Sequence, residues 1–318
     1  MNCIEEEATR PNIELALKED NLLWLNLAGT DPDTIALLRD VFKIHPLAIE
    51  DTQEFNQRPK AEDYDDFVYL VAYGARGLDE PLVEVHCFYA ENFLVTVHRD
   101  EMPAIATAHQ ALTRVRTAKR VVALYHLLDS LVDSMFPMLA ALDDRIDAVQ
   151  DQIFANPNDD ELEALFAMKR QLVDLRKVVT PQRDMMSTML ARVVSLPGKT
   201  KETERYLRDL YDHLIRISDM VDSYRDLVSG SLEAYMSVVS NRLNDVTKQL
   251  TIVATIFLPL SFLTGFFGQN FGWLVDRIGS AAAFFGIGIG TEVVAVIALL
   301  TLFRRQGWMG KGRSKKTQ

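Results

Sequence analysis

The chain has 318 residues, of which 48% are apolar and 25% charged. This composition is too apolar for a disordered chain and predicts one or two ordered domains. Its two cysteines can form at most one disulfide, which excludes a disulfide scaffold and a zinc finger and suits a reducing compartment. The net charge of -11, from 45 acidic and 34 basic residues, argues against a nucleic-acid partner and favours a cation.

The first part of the chain mixes strand-like and helix-like patterns. Four runs rich in Val, Phe, Tyr and Leu lie between turn residues, which predicts strands. A helix is predicted over Thr30–Phe42, because Asp31 and Pro32 stand in capping positions. We therefore expect an α+β or α/β domain here. The predicted strands are Leu22–Leu27, Phe67–Ala72, Val83–Tyr89 and Asn92–His98.

Long helices are predicted in the middle of the chain, where strand-like runs cease. Val121–Phe154 and Glu161–Ser195 are expected to pair antiparallel, because Asn156-Pro157-Asn158 breaks the pattern between them. A third helix is predicted over Glu202–Phe267 as a stalk. Its first part has apolar residues at alternating steps of three and four, the spacing that holds one seam against partner helices. These seam residues are Leu207, Leu210, Leu214, Ile217, Val221, Tyr224 and Val228.

Two segments near the end of the chain are apolar enough to cross a bilayer. Leu250–Phe267 would rise about 27 Å as a helix, close to the roughly 30 Å of hydrocarbon core. Ala281–Phe303 contains one charged residue, Glu292, and 13 residues separate the two spans. A carboxyl near the middle of a span is costly, so Glu292 is a functional candidate that is either protonated or hydrogen-bonded to the first span.

Both termini are expected on the cytoplasmic side of the inner membrane. The first ten residues carry three consecutive glutamates and no apolar run of signal length. Six Lys and Arg residues follow Phe303, whereas the loop between the spans has only Arg277, and basic segments stay inside. Residues 1–249 hold 27 basic and 43 acidic residues, so most of the protein is predicted to be an acidic cytoplasmic part.

A stripe of polar and small residues follows one face of the third helix into the first span. Hydroxyls and amides are costly in lipid, so the stripe is expected to face water or neighbouring helices. Its one bulky member, Leu258, would form an apolar ring that can close a pore by dewetting. Two spans cannot enclose a channel, so a pore requires an oligomer; close helix packing is the alternative. The stripe comprises Ser237, Ser240, Asn244, Thr247, Thr251, Ala254, Leu258, Ser261, Gly265 and Gly268.

The sequence around Gly268-Gln269-Asn270-Phe271 resembles the CorA family of divalent metal transporters, whose first membrane helix ends in a Gly-Met-Asn signature. The resemblance covers essentially the whole chain. It implies a homopentamer with a cytoplasmic funnel, an inner ring of first membrane helices and an outer ring of second ones. The other matching segments are Thr255–Gly265, His45–Asp51, Arg58–Lys60, Tyr206–Ser229 and Ser240–Asn244.

The resemblance implies roles for residues along the predicted pore. Asn270 would meet the hydrated ion at the outer mouth, with Gly268 allowing close backbone approach. The inner pore asparagine falls on Asn244. The hydrophobic constrictions fall on Leu250 and Leu258, although Leu250 lies one place off the stripe. The remaining pore-lining candidates, taken from the stripe, are Thr247, Thr251 and Ser261.

The ion favoured by the sequence is Mg²⁺, with Co²⁺ and Ni²⁺ as further candidates. Mg²⁺ keeps several waters and is held by oxygen groups such as amides and hydroxyls. Zinc prefers His or Cys ligands, which residues 241–318 lack. Gln269 replaces the signature Met, however, which leaves ion choice open, and zinc transporters of the same superfamily also manage without such ligands. The alternatives are therefore a zinc or other divalent-cation transporter with proton coupling and, from another class, a non-conducting coiled-coil scaffold anchored in the membrane.

Regulation is also implied by the resemblance. Asp209 matches a stalk aspartate that helps to hold regulatory Mg²⁺ between subunits, and Asp79 or Glu80 of the N-terminal domain are candidate partners. Emptying these sites would let charge repulsion loosen the funnel and open the gate. Because the family pore does not use the second helix, a packing role is favoured for Glu292. All six histidines are predicted to be structural or surface residues.

Catalytic motifs are absent from the sequence. It has no Gly-rich phosphate loop, nucleophile elbow or zincin motif, so neither an enzyme nor ATP-driven transport is expected. The predicted segments are a cytoplasmic α/β domain (1–120), an antiparallel helix pair (121–200), a stalk helix (201–249), a pore-lining span (250–267), an external loop with the signature (268–280), a second span (281–303) and a basic cytoplasmic tail (304–318).

Overall fold

The computed structural model describes residues 2–3, 10–18, 22–113, 120–191, 193–269, 272–273, 276 and 279–308. Contacts divide the chain into two compact units, Met1–Tyr235 and Met236–Gln318. The first unit contains a mixed β-sheet and long helices. The second contains the end of the longest helix and one further helix.

The sheet of the first unit has six strands in the order β1-β2-β6-β5-β4-β3. β2 pairs in parallel with β1 and β6, and all other pairs are antiparallel. The four predicted strands are confirmed to within two residues at each end. β1 and β3 were not predicted, since β1 has two residues and β3 is a polar edge strand. The strands are β1 (Asn2–Cys3), β2 (Leu23–Ala28), β3 (Lys60–Asp63), β4 (Val68–Gly74), β5 (Val83–Tyr89) and β6 (Phe93–His98).

Four short helices accompany the sheet. The predicted helix over Thr30–Phe42 is confirmed as Pro32–Asp40, and its cap forms as expected because the Thr34 backbone N–H donates to Asp31 Oδ1 at 2.7 Å. The four are α1 (Arg10–Ala16), α2 (Pro32–Asp40), α3 (Pro46–Glu54) and α4 (Pro103–Thr113).

Helix α5 (Arg120–Asp133) packs closely on strand β4 at Gly74. A Cβ atom at Gly74 would lie 2.5 Å from Met102 Cε and 3.0 Å from Leu131 Cδ2, so a larger residue here would force the ends of these side chains to shift. The adjacent Ala75 N–H donates to Ser134 Oγ at 2.8 Å. The start of the helical region is therefore fixed to the sheet.

The prediction of one continuous helix over Val121–Phe154 is wrong. Two helices, α5 and α6 (Met135–Ala155), meet at Ser134. Pro137 lies in the first turn of α6, where it has no N–H for the carbonyl of Asp133, and its ring would clash with that carbonyl in an unbroken helix.

Helix α7 (Asp159–Leu190) begins with a capping box formed by Asn158 and Glu161, which confirms the predicted break before it. Gln182 joins α7 to the sheet, because its Oε1 accepts from the Tyr73 N–H at 2.8 Å. The helix ends five residues before the predicted Ser195, whose N–H instead donates to Asp63 Oδ2 of β3 at 3.1 Å.

Helix α8 (Thr203–Phe267) has 65 residues and begins one residue after the predicted start. The seam predicted for its first part is confirmed, since all seven seam residues are buried. Burying such leucine, isoleucine and valine side chains contributes about 1.5–3 kcal/mol each. The first part of α8 therefore belongs to the core of the first unit.

The second unit contains the end of α8 and helix α9 (Ala281–Arg305). Both are long and apolar enough to cross a membrane. Within α9, Phe284–Ile289 forms a π-helical segment. Phe303, which stacks on Trp308, is the one buried side chain among the described residues of this unit. An apolar unit with so little core needs lipid or neighbouring helices around it.

Candidate ion pathway and cation cluster

The polar stripe of α8 is exposed along its whole length in the chain taken alone, from Ser237 to Gly268. The hydroxyl of Thr247 donates to the Leu243 carbonyl and that of Thr251 to the Thr247 carbonyl, each at 2.8 Å. These bonds use the hydroxyl protons inside the helix and leave oxygen lone pairs on its surface. Such oxygens can accept hydrogen bonds from the waters around a cation.

The two apolar constriction candidates also point away from the chain. Leu250 is 69% exposed and Leu258 is 76% exposed. They are eight residues apart, which corresponds to a rise of about 12 Å along the helix. Each could therefore form a separate apolar ring if copies of α8 surrounded an axis.

Pro259 lies inside α8 immediately after Leu258. It has no N–H, so the carbonyl of Thr255 loses its usual partner one turn earlier. A backbone carbonyl freed at membrane depth is tolerated where it meets water or protein. This position adds a polar backbone group close to the stripe.

The signature segment follows the end of α8. The Gly268 N–H donates to the Thr264 carbonyl at 2.9 Å, and a Cβ atom on Gly268 would lie 3.1 Å from that same oxygen. Gln269 is exposed, and its N–H donates to the Phe266 carbonyl at 3.3 Å. Asn270 lies outside the described residues. Gly268 thus allows a tight end to the helix. Its predicted role in the approach of the ion stays a prediction.

A cluster of possible metal ligands lies in the first unit, between helices α5 and α8. Asp129 of α5 and the pair Asp209 and His213 of α8 each place one ligand atom within 4.8 Å of the others. Asp209 and His213 are four residues apart on one helix face. We call these three residues the cation cluster.

Electrostatic strain is visible inside the cation cluster. Asp129 Oδ1 and His213 Nδ1 are both shielded from solvent and have no hydrogen-bond partner in the described part of the chain, although they lie 3.7 Å apart. Burial, together with the charge of nearby Asp133, raises the pKa of Asp129 to about 6. A cation would offset this repulsion and satisfy the orphaned atoms.

Tyr125 orients the exposed member of the cluster. Its hydroxyl donates to Asp209 Oδ2 at 3.3 Å. Burial raises the pKa of Tyr125, so the phenol keeps its proton and remains a donor. Two carboxylates with one imidazole suit Mg²⁺ with retained waters and also suit Zn²⁺ or Co²⁺.

The candidate partners Asp79 and Glu80 lie outside the cation cluster of their own chain. Asp79 pairs with Arg145 at 2.7 Å, and Glu80 pairs with Arg76 at 3.0 Å. Both carboxylates are exposed. Their role as ligands offered to another copy of the chain stays a prediction.

Sequence reasoning missed Asp129 and His213. The search for histidine pairs at helical spacing could not find them, because the cluster combines a histidine with aspartates. A broader search would have found two carboxylate-containing pairs four residues apart, Asp129 with Asp133 and Asp209 with His213. The prediction that His213 has a structural or surface role is not contradicted by this geometry and stays a prediction.

Comparison with known proteins supports one family. The chain matches the family described as "CorA-like Mg2+ transporter protein" over residues 19–305. It is 33% identical to the cobalt/magnesium transport protein CorA of Thermotoga maritima, over 90% of this chain and 83% of the relative. It is 23% identical to the zinc transport protein ZntB of Yersinia enterocolitica, over 87% of this chain and 84% of the relative.

A solved structure has the same fold. The CorA magnesium transporter from Methanocaldococcus jannaschii superposes with a TM-score of 0.80 at 23% sequence identity, covering 90% of this chain and 91% of that one. The mixed sheet, the long helices and the two terminal membrane helices are thus features of a known architecture.

Proposed function

The chain belongs to the CorA-like Mg²⁺ transporter family of membrane ion transporters, and on that basis we propose that five copies form a channel for hydrated Mg²⁺. The ion would enter the cell down its electrochemical gradient. The membrane potential contributes about 2.3 kcal/mol per charge per 100 mV, hence about twice that for a divalent ion. Transport then needs no nucleotide hydrolysis, in keeping with a family of transporters rather than enzymes.

The observation that carries this proposal is the exposed stripe, which continues from Ser237 to Gly268 and keeps polar and small residues within the apolar segment Leu250–Phe267. Copies of α8 arranged around an axis would turn this stripe into a wet lining. The apolar side chains beside the stripe would face lipid and α9. The stripe leads directly to the signature at Gly268.

The proposed pathway begins at the signature. Gln269 and Asn270 would offer amide groups to the water shell of the ion at the mouth, and Gly268 would let the backbone approach it. Farther along, Asn244, Thr247, Thr251 and Ser261 would line the pore. Rings of Leu250 and Leu258 would close it by dewetting when they meet. Mg²⁺ can pass such a lining without shedding its waters, which it does reluctantly.

The cation cluster is the proposed regulatory site. Asp209 would bind cytoplasmic Mg²⁺ together with Asp129 and His213, while Asp79 or Glu80 could come from a neighbouring copy. Bound cations would neutralise the repelling carboxylates and favour the closed state. When cytoplasmic Mg²⁺ falls, the repulsion would return and favour opening.

The proposed placement is the inner membrane with both termini cytoplasmic. The seven segments predicted from the sequence, from the α/β domain at 1–120 to the basic tail at 304–318, are proposed as the domains of the channel. Two basic residues at the end of α9, Arg304 and Arg305, support this orientation.

Flux into liposomes tests the function. Purified full-length protein should admit Mg²⁺ when the potential is negative inside, and cobalt hexaammine, which mimics hydrated Mg²⁺ and cannot lose its ligands, should block that entry. Protein-free liposomes and protein with Asn270→Ala are the controls. Absence of any cation flux would instead support the non-conducting scaffold.

Zinc transport is the second candidate function. His213 in the cation cluster supplies an imidazole, a ligand that suits Zn²⁺ better than Mg²⁺. A zinc transporter is also among the relatives. In the same liposomes, Zn²⁺ entry accompanied by acidification, with little Mg²⁺ entry, would support this candidate over the first.

A further inference from the structure

A cleft of about 410 Å³ lies within the second unit, between the end of α8 and the first half of α9. Its lining is mostly apolar or small, with one ionisable side chain, Glu292. The lining includes a glycine on each side, Gly268 directly after α8 and Gly288 within α9. The principal lining residues are Thr264, Phe267, Gly268, Phe284, Gly288 and Glu292.

Glu292 lines this cleft together with residues at the end of α8. The packing role favoured for it from the sequence stays a prediction. No hydrogen bond or ion pair of its carboxyl occurs with the residues that the structure describes. Side chains on a helix tilt towards its N-terminus, which directs Glu292 towards the loop end of α9. The π-helical segment Phe284–Ile289 lies directly along that path, and such segments are frequent at functional sites.

The opposite wall of the cleft is also electronegative. Helix α8 ends at Phe267, so its last carbonyls and the negative end of its dipole lie at this side of the cleft. The Thr264 hydroxyl donates to the Leu260 and Ser261 carbonyls, which leaves its oxygen as an acceptor. A carboxylate, an acceptor oxygen and a helix C-terminus together favour a cation.

The size of the cleft suits a hydrated divalent cation. Six waters at about 30 Å³ each occupy roughly 180 Å³, which leaves room to spare in this cleft. Mg²⁺ is usually bound through one or two carboxylates and several retained waters. One carboxylate with acceptor oxygens across the cleft meets that requirement without further protein ligands.

We propose that Glu292 binds a hydrated divalent cation in the cleft behind the signature and thereby raises the cation concentration at the pore mouth. The loop 268–280 carries one acidic and one basic residue, Asp276 and Arg277, so the loop itself adds no net charge. Glu292 is the remaining source of negative charge at this end of the second unit. The predicted effect on transport rests on the proposed channel function. The predicted binding of a cation by Glu292 does not depend on that function.

Uptake by the full-length protein in liposomes gives the first test. Glu292→Gln keeps the shape of the side chain and removes its charge, so the Mg²⁺ concentration for half-maximal uptake should rise about tenfold. Glu292→Asp should bring the half-maximal Mg²⁺ concentration to within about threefold of the wild-type value, because the negative charge is retained. The matched control is Asp276→Asn, which neutralises a loop carboxylate and should change the half-maximal Mg²⁺ concentration less than about twofold.

Carbodiimide labelling of the unaltered protein tests the binding directly. An apolar carbodiimide should modify Glu292, and Mg²⁺ should reduce the modified fraction at least about fivefold, whereas K⁺ at equal ionic strength should not. Equal labelling in both salts, or an unchanged half-maximal concentration in Glu292→Gln, would overturn the proposal. If the wild type carries no Mg²⁺ flux, the proposed function fails, and protection of Glu292 still decides the binding site.

Discussion

The two parts of helix α8 are both rich in apolar residues but bury them very differently. Up to Tyr235, its seam residues are buried against the helices of the first unit, and Leu214 is fully buried. Beyond Tyr235, none of its described side chains is buried, and Leu258 is 76% exposed. One continuous helix therefore passes from a complete core to a surface that requires partners.

This difference shows what each unit needs in order to be stable. The first unit has its own sheet, core and capped helices, as an independently folding unit does. The second has two apolar helices and a polar stripe, which lipid alone cannot satisfy. In the proposed channel, lipid would cover the apolar surface and the stripe would face an axis shared by several copies.

The largest expected effect comes from the mouth of the pathway. Asn270→Ala removes the amide that meets the hydrated ion, so Mg²⁺ uptake should fall by at least about 100-fold. Asn241→Ala, one place after stripe residue Ser240 and off the stripe, is the matched control and should keep wild-type uptake. Both proteins should unfold at the wild-type temperature. Full uptake by Asn270→Ala would remove this residue from the pathway.

Two leucine substitutions test whether the two parts of α8 differ in the way proposed. Leu214→Ala leaves a cavity in a full core and should lower the free energy of unfolding by about 3 kcal/mol. Leu258→Ala should leave stability within about 0.5 kcal/mol, because the side chain is exposed in its own chain. It should instead weaken the apolar ring and raise the Mg²⁺ leak in high cytoplasmic Mg²⁺. Chemical denaturation and liposome flux measure the two effects.

In the cation cluster, removing the charge of Asp129 should stabilise the metal-free protein but weaken the protection that Mg²⁺ gives. Burial raises the pKa of Asp129 to about 6, so the folded protein binds this proton more tightly than the unfolded chain does. Without metal, stability should rise by about 1 kcal/mol as the pH falls from 8 to 5; the gain is small because the carboxyl is only partly buried, so that water screens its charge.

Asp129→Asn should abolish that pH dependence and raise metal-free stability at pH 8. The same substitution should weaken the protection from protease that Mg²⁺ gives. Asp209→Lys, which places an ammonium among the ligands, should also weaken that protection. Asp212→Asn, beside Asp209 but outside the cluster, is the control. Unchanged protection in Asp209→Lys would reject the regulatory assignment.

The smallest expected effect concerns one hydroxyl of the stripe. Thr251→Val keeps the side-chain shape and removes an acceptor oxygen from the proposed lining, so uptake should fall about threefold. Thr301→Val makes the same change on α9, away from the proposed lining, and uptake should stay unchanged. Equal effects of the two substitutions would favour helix packing over a water-lined pathway.

Much of this fold could be predicted because its signals are local. Strand composition, the Asn156-Pro157-Asn158 break and the seam of α8 each depend on residues close together in the sequence. The break at Ser134 was missed because a proline in the first turn fits both a helix start and a tolerated kink. Strand β3 was missed because its polar residues gain their pairing only from β4.

The candidate site likewise contains parts that could be predicted from local sequence and parts that could not. The stripe and the signature lie along one helix, so spacing alone could find them. The cation cluster joins α5 to α8, and the distance in sequence between Asp129 and Asp209 hid their proximity. The cleft that Glu292 lines also combines residues of two helices, so spacing along one helix could not have indicated it.

The mass of the intact complex tests the central claim most directly. Two spans per chain cannot enclose a water-filled path, so the account requires several copies around one axis. Native mass spectrometry of the full-length protein, released from detergent, should give about 180 kDa, the mass of five chains of 36.0 kDa each. A complex of one or two chains under all conditions that preserve transport would contradict the account.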